Sequence, residues 1–401
     1  MHILRLNYNI NSEVFFKLLC KFFFVITICL TLIFPEASRA QNSSGIINNF
    51  AFKLGNILAQ DSDKNFFASP FSIISAFGMA YNGASGETKN EIEKVLNLNH
   101  DANKNIMNLA KELNDDKILY SANALWFSDR INLRRNFRQI LLNGYKTEIH
   151  QSNFKNEPTK SKNIINNWVS EKTNNKINNF INSLDTETKM ILINAVYFNS
   201  EWRYKFDNNL TSLEFFKVPN ARNLKIPMMK QNRNFLYCEL EGNKIIEIPY
   251  KNNISMYVIL PAENDLNIFK NFTPEKFAGM LESLKIHRVD LWLPKFKVEN
   301  SFELKNIFES LGIKLAFSNR ADFSRITNDE KLKIDSVLHK TFIEVDEAKT
   351  EASAATGLTM VGITAMPVDY PEAEFHADRP FIYFIADSSG NILFMGRQTF
   401  K

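Results

Sequence analysis

Only three cysteines occur in this 401-residue chain, and two of them, Cys20 and Cys29, fall within its first forty residues. Cys238 therefore stands alone beyond that point, which excludes an internal disulfide even in a compartment that would permit one. Catalytic signatures are equally scarce. No HExxH, GxSxG, phosphate-binding loop or GxGxxG is present, so the nucleophile, zinc and nucleotide chemistries that need those spacings have no support. The six histidines (His2, His100, His150, His287, His339, His376) show no ligand spacing, and neither a metal nor another cofactor is expected. Charge of one sign is lacking too: 48 basic residues stand against 44 acidic, which gives no pull toward nucleic acid. The cluster Arg130, Arg134, Arg135 and Arg138 reads as the solvated face of a helix, with no polyanion site claimed for it. Long apolar runs are missing as well. The longest, Phe22–Phe34, has 13 residues and is short for a membrane span.

What the chain does have is a large apolar inventory. Hydrophobic residues make up 45% and charged residues 23%, and Phe alone accounts for 35 positions, each able to bury a large area. No Pro/Gly/Ser-rich linker interrupts the chain between residue 45 and its end, which predicts a single mixed domain over residues 41–401. Residues 1–40 differ. Arg5, Lys17 and Lys21 precede the apolar run, and Ser38-Arg39-Ala40 precedes Gln41. That pattern predicts a secretory signal peptide, hence a secreted, extracellular protein (periplasmic in a Gram-negative host) with no stable membrane association after cleavage. Its removal leaves 44 basic against 42 acidic side chains. Asn42, Asn209, Asn253 and Asn271 each open a glycosylation sequon.

Helical spacing marks Ile46–Gln60. Ser69-Pro70 supplies a cap and a first-position proline for a helix to about Asn82. Further helices are predicted at Glu87–Leu96, Lys104–Leu113, Leu133–Leu142, Pro158–Asn175, Pro274–Leu284 and Phe302–Leu311. Strands are predicted at Ile118–Phe127, Met190–Phe198, Leu224–Met229, Ile245–Tyr250, Ser255–Leu260, Val289–Phe296, Lys331–Val345 and through Phe375–Ile385. Helices followed by many strands argue for an α+β fold.

Between the last two strands lies an unusual segment, Val345–Leu358, reading VDEAKTEASAATGL. As a strand it would place Thr350, Ala352, Ala354 and Thr356 on one face and Glu351, Ser353 and Ala355 on the other. The first face is small enough to slip between existing strands without overpacking. An ordinary flexible linker is the plainer reading of such a run, but a strand on each side suggests a loop able to insert.

At these residues the chain resembles the serpin family, and the resemblance covers essentially all of it beyond the leader. Asn65–Leu96, Ile193–Phe206, Leu311–Ile326 and Arg379–Arg397 match successive blocks of the family's pattern in order. The resemblance implies the serpin fold, with about eight or nine helices, three β-sheets and an exposed reactive-centre loop at about 347–371. It also implies a function: a suicide substrate whose loop is cut by a serine protease, forms an acyl-enzyme and inserts into the central sheet. The partner would be an elastase-, chymotrypsin- or subtilisin-like protease held in a covalent complex, and a monomer is expected.

Carried over residue by residue, the resemblance makes Glu347 and Thr350–Thr356 the hinge. Ser69, Ser72, Asn194 and His339 match the polar shutter beneath the opening sheet, and Trp202 the breach where insertion begins. Counting seventeen residues from Glu347 puts the reactive bond at Ile363–Thr364, with Met360 and Met366 close by. Thr350 to Ile363 is fourteen residues, about 45 Å when extended, and contains no proline. Two departures stand out. Lys349 occupies a position where the family prefers Gly, and the closing GRQTFK lacks the family's usual proline. A non-inhibitory member, acting as carrier, chaperone or protease substrate, is the alternative. An enzyme is not expected, because no nucleophile–base constellation is present.

Overall fold

A computed structural model describes residues 44–60, 64–115, 119–145, 147–219, 221–262, 269, 272–348 and 369–401. The organising element is a buried helix, α2 (Pro70–Gly83). Its N-cap Ser69 accepts a hydrogen bond from the Ser72 amide, Pro70 fixes the first turn, and nearly every side chain is buried. A cap of this kind contributes about 1 kcal/mol. A helix all of whose faces are apolar belongs in the centre of a fold, and α2 packs against strands of both sheets. Ahead of it come helix α1 (44–58) and the short strand β1 (Phe66–Ala68).

After α2 the chain forms α3 (Gly86–Leu96), α4 (His100–Asp115), β2 (Leu119–Ser128), α5 (Arg135–Ile140) and β3 (Ile149–Ser152). Next are α6 (Pro158–Lys172), β4 (Met190–Phe198), β5 (Ser212–Phe216), β6 (Leu224–Leu240), β7 (Asn243–Pro249) and β8 (Ile254–Leu260). The chain finishes with α7 (Pro274–Ser283), β9 (Lys285–Pro294), β10 (Phe296–Glu303), α8 (Lys305–Leu311), β11 (Ser336–Val345), β12 (Glu372–His376), β13 (Phe381–Asp387) and β14 (Ile392–Gln398). Eight α-helices are thus present among the described residues, and the fold is α+β.

Two sheets carry the strands. One has five strands in the order β10-β11-β4-β2-β3; the other runs β1-β14-β13-β8-β7-β6-β9-β12, with β5 paired to β6. Where three sheets are expected, β6 joins two of them. It pairs with β5 and β9 along its length and with β7 only at Leu236–Leu240.

The predicted strand over Leu224–Met229 continues to Leu240, because the polar stretch Lys230–Asn234 still finds a ladder on β9. Residues 331–335 do not join β11: the strand begins at Ser336, where pairing with β4 begins. Val289–Phe296 divides between β9, which starts earlier at Lys285, and the unpredicted β10. The predicted helix at Phe302 starts only at Lys305, since Phe302 and Glu303 still pair with His339 and Leu338 of β11. Residues 173–175 lie beyond α6, two of them at positive φ, and 377–380 separate β12 from β13. The closing hairpin turns at Gly390, whose φ of +76° suits a residue without Cβ.

Alternation splits the five-stranded sheet into two faces. On β4, Ile191, Ile193, Ala195 and Tyr197 form a core with Ile165 and Val169 of α6. Met190, Leu192, Val196 and Phe198 join the large core around α2.

Candidate functional site

Asn194 is the polar exception on the α2-facing side of β4. In register beside it lie Asn123 of β2 and His339 of β11, and beyond His339 comes Phe302 of β10. One rung of the sheet therefore carries three polar side chains in a row, directly over the N-terminus of α2.

Their bonds interlock. The Ser69 amide donates to His339 Nε2 at 3.1 Å, and the Ser69 hydroxyl donates to the Leu393 carbonyl at 2.7 Å. Asn194 Nδ2 donates to the Ser72 hydroxyl at 2.8 Å, to the Ser72 carbonyl at 3.0 Å, and to Asn123 Oδ1. His339 Nδ1 contacts Asn194 Oδ1. A backbone amide can only donate, so Nε2 is the bare nitrogen and Nδ1 carries the proton given to Asn194. The ring is neutral. It is fully buried, and that desolvation pushes its pKa down to about 3 despite the Asn194 bond, which acts in the opposite sense. Phe302 stacks beside the ring with centroids 6.1 Å apart.

A second cluster holds the end of β11. Trp202 is fully buried, stacked on Tyr250 at 4.2 Å, and its Nε1 donates to the Asp346 carbonyl at 2.8 Å. The Phe206 amide donates to the Glu347 carbonyl at 2.9 Å. The Glu347 carboxylate accepts from Thr211 Oγ1 at 2.8 Å and Lys295 Nζ at 2.6 Å. Burial alone would raise its pKa, but these donors outweigh it and hold the group below the usual carboxylate range. Beyond Ala348 the described chain resumes at Asp369. Pro371 then accepts from the Arg288 amide at 2.9 Å as β12 joins β9 in the other sheet.

Ser69, Ser72, Asn194 and His339 are thus brought together, with Trp202 and Glu347 at the exit of β11. Thr350, Glu351, Ala352, Ser353, Ala354, Ala355, Thr356, Ile363 and Thr364 lie outside the described residues, as do Lys349, Met360 and Met366. Sequence reasoning missed Asn123, although a signal was legible: with Ser121 it interrupts the inward face on which Leu119, Leu125 and Phe127 are apolar. Thr211 and Lys295, far from Glu347 in sequence, left no such mark.

Among known proteins, the chain is 37% identical over 361 residues to an uncharacterised serpin-like protein of Thermococcus kodakarensis, covering 88% of this chain and 84% of that one. It is 35% identical over 359 residues to serine proteinase inhibitor 1 of rabbitpox virus, covering 85% and 97%. The solved structure of human thyroxine-binding globulin complexed with thyroxine superposes with a TM-score of 0.80 at 27% identity, covering 90% and 98%. A family model described as Serpin (serine protease inhibitor) matches residues 46–399, and with these relatives it establishes that the chain belongs to the serpin family.

Proposed function

We propose that this serpin is a secreted inhibitor that a serine protease attacks as a substrate and that traps the enzyme as an acyl-enzyme. One observation carries the reading: β11 and β4 pair in parallel, and the small-residue run Thr350–Thr356 follows β11 directly. A chain that leaves β11 and turns back runs antiparallel to both strands, so it can ladder with both at once. Loop insertion itself is carried over from the family.

Its consequence here is specific. A new strand moves β4 from about 4.8 Å to about 9.6 Å from β11, and the Asn194–His339 bond cannot survive that separation. The relatives agree in part, since the rabbitpox protein is named a serine proteinase inhibitor. No basic residue occurs between Thr350 and Arg379, so the loop offers nothing to the buried carboxylate of a trypsin-like pocket. With the reactive bond at Ile363–Thr364, an elastase-like target fits best, and chymotrypsin- or subtilisin-like enzymes come next.

Incubation with a serine-protease panel tests the proposal. The expected result is an SDS-stable complex with an elastase-like enzyme and a released fragment starting at Thr364. A fragment starting at Val361 or Pro367 would overturn the register, and stoichiometric trapping of trypsin alone would overturn the target class. A second reading, a non-inhibitory carrier or protease substrate, draws on Lys349, which resists backbone angles that glycine permits. The match to thyroxine-binding globulin points the same way. Under that reading the loop is cut and no complex forms. Secretion is checked separately, by an exported product beginning at Gln41.

A further inference from the structure

Strands β4 and β11 separate before either one ends. Their pairing stops at Phe342 opposite Tyr197, yet β11 runs on to Val345, which β10 still holds through Phe296. β4 ends at Phe198, and the chain continues through Asn199 to Ser200. Counted three residues past the last rung, Ser200 stands level with Val345 across an unladdered mouth. Phe198, Trp202 and Val345 all join the large core around α2, so alternation turns Ser200 to that same side. Ser200 is 4% exposed, and its hydroxyl has no hydrogen-bond partner among the described residues. A buried hydroxyl left unpaired costs free energy, and an orphan of this kind calls for a reason.

We propose that Ser200 is a positioning residue: it receives the Thr350 hydroxyl when the loop enters between β4 and β11, and so fixes the register of insertion. The proposal deepens the loop-insertion reading above and rests on it. The count comes from the turn. Trp202 holds the Asp346 carbonyl, and Thr211 and Lys295 hold the Glu347 carboxylate, so β11 ends at Val345 and the chain reverses over 346–349. Four-residue connections are a common hairpin length, and this one sets Thr350 opposite Val345, hence between Val345 and Ser200. Facing residues of an antiparallel pair share a side of the sheet, which agrees with Thr350 lying on the small face that must meet the core. The same count sets Ala352 between Phe198 and Ile343, both fully buried, where a small side chain is needed. Facing Cβ atoms about 4.5–5.5 Å apart bring Thr and Ser hydroxyls into bonding range, and either hydroxyl can donate. A slip by one residue turns Thr350 outward. A slip by two offers Ser200 an alanine, Ala348 or Ala352, and leaves its hydroxyl unpaired again.

The test uses the full chain and synthetic peptides copying residues 350–363, with Thr or Val at the first position. Ser200→Ala should melt no lower than wild type, because it removes an orphan; a lower melting point would show a hydroxyl that serves the closed fold and overturns the assignment. Peptide affinities then give a double-mutant cycle. Ser200→Ala should weaken the Thr peptide about threefold, as loss of a cross-strand hydroxyl pair requires, and leave the Val peptide unchanged. An equal loss for both peptides, or no loss for either, overturns the Ser200–Thr350 pair and leaves loop insertion standing. If neither peptide enters the wild-type sheet, loop insertion falls and the pair falls with it.

Discussion

The two sheets are fastened in opposite ways. In the nine-stranded sheet, β13 and β14 pair antiparallel and are backed by rings: Phe384 lies 5.2 Å from Phe277 and 5.8 Å from Phe52, and Phe394 stacks on Phe67 at 4.9 Å. In the five-stranded sheet, β11 and β4 pair in parallel over a rung of polar side chains on the α2-facing side, and the ring pair Tyr197–Phe342, at 5.5 Å, crosses the seam on the other face. Interlocked rings lose their contacts outright when strands part. Polar groups lose partners worth about 1 kcal/mol each and can regain that from a newcomer. The contrast suggests one sheet that holds and one that can open.

Cutting the loop gives the sharpest test of that contrast. Cleaved protein should melt at least ~5 °C above the intact form, as several kcal/mol of added stability requires in a chain of this size, where each kcal/mol is worth about 1.3 °C. Thr350→Arg or Ala354→Arg should abolish the gain by forcing a charge against the core face. Truncating the holding sheet, as in Phe394→Leu, should lower both melting points and leave the gain intact. Calorimetry of the intact and cleaved forms decides, and identical wild-type melting would leave the five-stranded sheet closed.

Acid should also single out the seam. His339 has an ordinary value of 6.5 and a folded value of about 3, so between those limits the unfolded chain binds the extra proton. Its contribution is whole above pH 6.5, falls by up to about 1.4 kcal/mol per pH unit as the pH drops, and is gone near 3. Urea titrations from pH 7 to 4 should show this slope, and His339→Gln should flatten it. Among the described residues no charged group acts on the ring to soften the effect; it meets Asn194, Ser69 and Phe302.

Smaller effects remain. Asn194→Ala strands the buried His339 Nδ1–H and takes a donor away from Ser72 and Asn123, and should lower unfolding free energy by about 2–4 kcal/mol. Glu347→Gln keeps the shape but weakens the bond from Lys295; about 1–2 kcal/mol is expected, with the loss confined to the end of β11 by hydrogen exchange. An equal loss of protection in β13 and β14 would erase the distinction between the sheets.

Much of this arrangement was legible in the residues. Ser69-Pro70 announced α2, and the run Met190–Phe198 announced β4. What stayed hidden was pairing over distance. β10 alternates Phe296, Val298 and Phe302 inward, but Lys297, Glu299 and Asn300 gave it the look of a loop until β11 supplied its ladder. Lys230–Asn234 looked too polar for a strand, because exposure on a sheet held by β9 needs no apolar side chains. Glu347 finds Lys295 and Thr211 only once β5, β9 and β11 are placed, and no local pattern encodes that.

The bare nitrogen of His339 has one more consequence. Its Nδ1 proton sits in a fully buried ring and points across the seam at Asn194. Exchange with solvent must await opening, so this single proton should give an isolated, slowly exchanging resonance far downfield. A closed sheet shows that signal and a parted one loses it. The protein thus carries an internal gauge of its seam that needs no label, no protease and no cut.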